Sequence, residues 1–144
     1  TYLKRKIDNY LLNWKTDPNK KPLIIKGSRQ VGRQNPSHIG HLNYKSIIYI
    51  NFVEEPNYKM ITTDAIKAQD IIKKLSRIDP SKQFIENDTL IIFDELQDFP
   101  DIATSLKFFK IDGRFDVICS GSLLGINYQS IESNSVGYKT DCEY

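Results

Sequence analysis

Cysteine is scarce in this chain, with Cys119 inside an apolar run and Cys142 near the end as the only two in 144 residues. They build neither a disulfide framework nor a CxxC or Cys/His zinc pattern, so a reducing, cytoplasmic setting is expected. Long apolar runs are missing as well. None approaches the about 18 residues a membrane-spanning helix needs, and no signal-peptide pattern opens the sequence. Charge of one sign is also lacking: 20 Lys and Arg against 18 Asp and Glu leave +2. That balance gives no electrostatic case for nucleic acid or a membrane surface. Repeats, low-complexity tracts and linkers are absent too. What is there is a 40% hydrophobic chain of a size to fold as one domain, and its partners have to be argued from its sites.

Residues 2–15, YLKRKIDNYLLNWK, place Leu3, Ile7, Tyr10, Leu11 and Trp14 on one helical face, and Asp17-Pro18 stops that helix. PLIIK at 22–26 is short, β-branched and closed by glycine, which predicts a buried strand. SIIYINF at 46–52 predicts a second strand, and a helix over 64–78 carries Ile71, Ile72, Leu75 and Ile78 as its stripe. After the turn residues Asn87-Asp88, TLIIFDELQ predicts a third strand ending in two carboxylates. A helix over 101–110 would bury Ile102, Leu106, Phe108 and Phe109, and FDVICSGS at 115–122 is the fourth strand. Strands that are continuously apolar, separated by helices, predict an α/β fold whose parallel sheet is covered on both faces.

The chemistry concentrates at strand ends. Gly27 and Gly32 have the spacing of G-x-x-x-x-G-K-[ST] directly after a strand, where a glycine-rich backbone can turn successive N–H groups toward phosphate. The motif then needs Lys and Ser/Thr, and this chain has Arg33 and Gln34, with Pro36 soon after. Arg33 brings a planar, bulkier guanidinium in place of a compact ammonium, and Gln34 an amide oxygen in place of a magnesium-binding hydroxyl. At about 1.5–3 kcal/mol per lost charge-assisted contact, the pair would weaken nucleotide binding by about two to four orders of magnitude. Asp94 and Glu95 are what such a loop needs from a neighbouring strand, an aspartate to hold magnesium through water and a glutamate to polarise the attacking water. Ser120 and Ser122 cap the fourth strand. In a sheet ordered 1-4-3-2 they would lie between the loop strand and the acidic strand, within reach of a γ-phosphate or the attacking water.

Together, KPLIIKGSRQVG, NYKSIIYINFVEE, DTLIIFDELQDFP and SLKFFKIDGRFDVICSGSLLGINY resemble the prokaryotic AAA-type ATPases that usually carry a C-terminal domain of unknown function. The resemblance runs from about Arg5 to Tyr138 and rests on four segments in order. It implies a P-loop NTPase fold of the AAA/ASCE type, a parallel sheet flanked by helices, with ATP and Mg2+ as cofactors and ATP hydrolysis as the ancestral reaction. By position, Gly27, Ser28, Arg29, Gln30, Val31 and Gly32 match the Walker A loop within a region spanning 22–34, with Arg33 and Gln34 where the family has Lys and Thr. Asp94 and Glu95 match the Walker B pair at the end of 90–95, and Ser120-Gly121-Ser122 match the sensor strand of 115–122. Gln97 and Pro100 match a short pattern after Walker B. The implied partners are ATP and either further copies of the chain or another protein, with no membrane and no indication of nucleic acid. Residues 1–144 then read as a partial ATP-binding domain, incomplete at the C-terminus before a fifth strand. The competing expectation is a non-catalytic remnant that binds a protein partner.

NPSHIGHL, at 35–42, resembles nothing the family has after its loop. Its His38-Ile39-Gly40-His41 spells a class I aminoacyl-tRNA synthetase signature, but that reading needs a lysine-rich second motif that the chain lacks, and two histidines alone do not make a zinc site. Back-translation offers another account. After a glycine codon ending in A, the codons of RQNPSHIGHL read one nucleotide earlier can spell Lys-Thr followed by a helix-compatible stretch. A short frameshift compensated before Asn43 would explain both the lost Lys-Thr and the chance His-Ile-Gly-His match; true divergence is the other origin. The nucleotide sequence of this segment decides: the frameshift account expects a one-base step to restore Lys-Thr, and codons for Arg33 and Gln34 that allow no such step rule it out.

Overall fold

A computed structural model describes residues 2–26, 37–40, 42–63, 67–121 and 137–140. Helix α1 spans Tyr2–Thr16, strand β1 Leu23–Lys26, the single turn α2 Ser37–Gly40 and strand β2 Ser46–Asn51. A 3-10 segment over Pro56–Thr62 leads to α3 (Ala68–Ile78) and then to β3 (Thr89–Asp94). Two further 3-10 segments, Leu96–Asp98 and Pro100–Ser105, run into α4 (Leu106–Asp112), followed by β4 (Asp116–Gly121) and β5 (Gly137–Thr140).

The strands form one sheet in the order β2-β3-β4-β1-β5, every pair parallel. The expected 1-4-3-2 order is therefore present. The expectation that the chain stops short of a fifth strand is corrected: Gly137–Thr140 pairs with β1 from Leu23↔Gly137 to Lys26↔Thr140. Its sequence, GYKT, has little of the continuous apolar character that marks the other four strands.

Alternate residues of each strand go to opposite faces, and both faces are buried. On one, Ile24, Ile50, Ile91, Phe93, Val117 and Cys119 pack under α3, α4 and the 3-10 segments. Phe52 stacks on Phe93 with centroids 5.7 Å apart and meets Phe99 edge-on at 4.8 Å. On the other, Leu23, Ile25, Leu90, Ile92 and Ile118 pack with Leu11 of α1 and Ile39 of α2, flanked by Tyr10, Trp14, Tyr44 and Tyr49. This two-sided burial is why the strands read as unbroken apolar runs.

Local chemistry sets the ends of the elements. Thr16 Oγ1 donates back to the Leu12 and Asn13 carbonyls, each at 3.2 Å, and Asp17 Oδ1 accepts from Asn19 N at 2.8 Å. The helix expected over 101–110 begins as a 3-10 segment, with Pro100 in its first turn and Ser105 Oγ donating to the Ile102 carbonyl at 2.7 Å. Phe108 is half-buried rather than buried, whereas Ile102, Leu106 and Phe109 are in the core. The helix expected over 64–78 is formed over Ala68–Ile78, and residues 64–66 lie outside the described residues. Gly113, at φ 72, closes α4 in the left-handed conformation that glycine adopts without a Cβ clash.

The N-terminal ends of the strands are tied by side chains. Tyr44 donates its hydroxyl to Asp116 Oδ2 at 2.5 Å, and Lys20 Nζ sits 3.4 Å from Asp116 Oδ1. Burial, with Asp116 beside it, raises the Tyr44 pKa above the ordinary phenol value. Trp14 Nε1 donates to the Lys21 carbonyl at 2.7 Å and pins α1 to the entrance of β1. Among the described residues no helix is long and apolar enough to cross a membrane.

Cys119 is fully buried, and burial alone pushes its thiol up. Reactivity follows the thiolate. In a Cys142→Ser chain, Ellman's reagent is therefore expected to leave the folded protein unmodified and to titrate one thiol on denaturation. Rapid labelling of the folded chain would contradict the burial of β4.

Candidate functional site

Parallel strands carry ligands beyond their C-terminal ends, where neighbouring strands send their connections in opposite directions. β1 and β4 are such neighbours: the chain leaves β1 for β2 at one edge of the sheet and leaves β4 for β5 at the other. The register puts Lys26 beside Gly121, Phe93 beside Cys119 and Asn51 beside Asp94. Hence the last residue before the glycine loop, the serine-bearing end of β4 and the acidic end of β3 line up side by side.

Asp94 is the centre of this row. Its exposure is 1%, and three donors satisfy its carboxylate. Ser120 Oγ, also fully buried, donates to Oδ1 at 2.7 Å, and the Glu95 N–H donates to the same oxygen at 2.8 Å. Tyr49, on β2, donates its hydroxyl to Oδ2. A carboxylate has about four acceptor positions, so one on Oδ2 meets no donor among the described residues. That suits a cation held through water better than one gripped by the carboxylate alone. Among the described residues no group of three or more His, Cys, Asp or Glu comes together.

Glu95 adopts φ 60, ψ 49, a left-handed conformation that costs a non-glycine residue about 1–2 kcal/mol. The turn that follows holds it there: Asp98 N donates to the Glu95 carbonyl at 2.9 Å, and Leu96 is fully buried. The Glu95 side chain is half-buried, and its Oε2 accepts from Gln97 Nε2 at 2.5 Å. Gln97, whose place in the sequence pattern had no physical reading, thus orients the carboxylate of Glu95. Asn51 closes β2 next door, its Oδ1 accepting from Val53 N at 2.9 Å and Glu54 N at 3.0 Å.

Of the residues expected from sequence, Asp94, Glu95 and Ser120 come together here. Ser120 spends its proton on Asp94. Ser122, Gly27, Ser28, Arg29, Gln30, Val31, Gly32, Arg33, Gln34 and His41 lie outside the described residues, as does the side chain of His38. Sequence reasoning missed Tyr49, which passes for one more apolar strand residue. It also missed the constraint at Gly121, where an added Cβ would stand 2.8 Å from Gln97 Oε1, 3.0 Å from Leu96 N and 3.1 Å from Leu96 Cβ. The glycine lets the turn after β3 fold directly across the end of β4.

Gly121→Ala should therefore cost about 1–3 kcal/mol of stability, the range for overpacking a tight contact, read as a fall in the denaturant midpoint. Adding Gln97→Ala should recover only part of that loss, because the Leu96 backbone remains in the way. Full recovery, or no loss in the single variant, would contradict the packing.

The sequence model of the AAA domain family matches residues 19–144. No curated protein matches the chain in sequence. Solved structures give the fold: a chain of Drosophila ORC bound to DNA is similar with a TM-score of 0.58 at 11% identity, over 98% of this chain and 93% of that one. A second similar chain is C. elegans PCH-2, with a TM-score of 0.58 at 11% identity over 96% of this chain and 43% of its own length. Another Drosophila chain, from ORC bound to GC-rich DNA and Cdc6, has a TM-score of 0.56 at 11% identity, over 98% of this chain and 56% of that one. With its parallel sheet, the acidic end of β3 beside the serine end of β4, and a match over 19–144, the chain belongs to the AAA domain family and is an ATPase-like P-loop NTPase domain.

Proposed function

We propose that this domain binds ATP at the C-terminal ends of β1, β4 and β3 and that hydrolysis is impaired by Arg33 and Gln34. In this reading Gly27 to Gly32 cradle the phosphates with backbone N–H groups. Asp94 orients a water on Mg2+, and Glu95 takes a proton from the attacking water. Ser122, two residues beyond Ser120, is the candidate contact for the γ-phosphate. Mg2+, when bound, neutralises charge on the phosphate oxygens. The observation that carries the reading is the Ser120–Asp94–Glu95 constellation at the C-terminal ends of β4 and β3, with the end of β1, the strand that precedes the glycine loop in sequence, beside β4.

Impairment follows from the two changed loop residues. Arg33 and Gln34 remove the point charge and the hydroxyl that a working loop presents to the terminal phosphates and the metal. The same two residues favour the second reading, a non-catalytic domain that binds a protein partner through the retained fold.

A fluorescent ATP analogue titrated with Mg2+ separates the readings. Arg33→Lys with Gln34→Thr should tighten binding by about two to four orders of magnitude, and bound nucleotide should then raise the melting temperature by mass action. Adding Glu95→Gln should keep the binding and abolish turnover. Micromolar affinity with steady turnover in the unaltered chain would contradict impairment. Silence of the restored loop in both assays would support the non-catalytic reading.

A further inference from the structure

We infer that Tyr49 is a positioning residue for the nucleotide-bound metal, holding the Asp94 carboxylate in the orientation from which it reaches that metal; the inference rests on the proposed ATP site. Tyr49 lies on β2, opposite Ile92 of β3, and its ring joins the apolar cluster of Leu90, Ile92 and Ile118 under α1. From there its hydroxyl reaches Asp94 Oδ2.

A half-buried tyrosine needs an acceptor for its hydroxyl, and any backbone carbonyl would meet that need. Here the acceptor is a buried carboxylate already gripped on Oδ1 by Ser120 and the Glu95 amide. Rotation about the Cβ–Cγ axis would displace both oxygens, so the bonds to Oδ1 already resist it. The bond to Oδ2, arriving from the opposite side of β3, adds a restraint from β2 to those on Oδ1 and takes one acceptor position of the oxygen whose other position meets no donor among the described residues. Outer partners of a metal-binding carboxylate act in this way, and their loss typically weakens metal affinity by about 10–100-fold.

Tyr44 supplies an internal control. It makes the same kind of bond, phenol to carboxylate, with Asp116 at the N-terminal ends of the strands, away from the site. A structural role for Tyr49 would make the two tyrosines equivalent.

The test uses the chain carrying Arg33→Lys and Gln34→Thr, with Mg2+ titrated against a fluorescent ATP analogue at fixed concentration. Adding Tyr49→Phe is expected to raise the Mg2+ midpoint about tenfold or more and to leave analogue binding in EDTA unchanged. Tyr44→Phe should leave the midpoint in place, and melting temperatures check that both variants fold. Equal midpoints for Tyr49→Phe and Tyr44→Phe, with Asp94→Asn still abolishing the Mg2+ response, would overturn the role of Tyr49 alone. Absence of any Mg2+ response, or a response that survives Asp94→Asn, would overturn the ATP-site reading and the role of Tyr49 with it.

Discussion

A carboxylate buried at the end of a β-strand has to be satisfied, and much of this structure's organisation follows from satisfying Asp94. Left without partners, such a group costs several kcal/mol. Its donors come from β2, β4 and the turn after β3, so the bonds that satisfy one side chain also fix three elements relative to one another. Glu95 itself takes the left-handed conformation, and the turn that follows it lies across β4 at Gly121, where a glycine leaves room. Site and core are therefore one construction: the residues proposed to handle nucleotide chemistry are held by the same contacts that close the end of the sheet.

The sheet was legible in the sequence because burial on both faces writes itself as unbroken apolar runs. LIIK, TLIIFD and DVICSG could be placed and read as parallel from that feature and the helical stripes between them, whereas their order came with the phosphate-loop reading. β5 escaped because GYKT has no apolar run for that feature to mark. Asp94 and Ser120 were legible as a pair, through the spacing of motif and strand order. Their partners were not. Tyr49 looks like any aromatic in a strand until the neighbouring strand supplies its acceptor. Glu95 gives no local hint of positive φ, unlike Asn43 at φ 59 and Asn87 at φ 62, whose residue type tolerates it.

The altered loop and the retained fold are compatible for a physical reason. In the proposed ATP site Arg33 and Gln34 stand where the motif would address ligand phosphates and metal, whereas the core is built from strand residues such as Ile24, Ile92 and Phe93. A similarity of fold at 11% identity fits the same separation, since apolar pattern and strand order survive extensive substitution while the chemistry of a loop can be lost at two positions.

The most direct measurement is the position of the metal in crystals of the loop-restored chain grown with Mn2+ and ATP, located by anomalous scattering. A metal held through one water by Asp94 should appear about 4–5 Å from its carboxylate, the sum of a metal–oxygen bond and a hydrogen bond, with Tyr49 and Ser120 still bound to the same carboxylate. Nucleotide seated away from the C-terminal ends of β1, β4 and β3, or metal outside the reach of Asp94, would contradict the account.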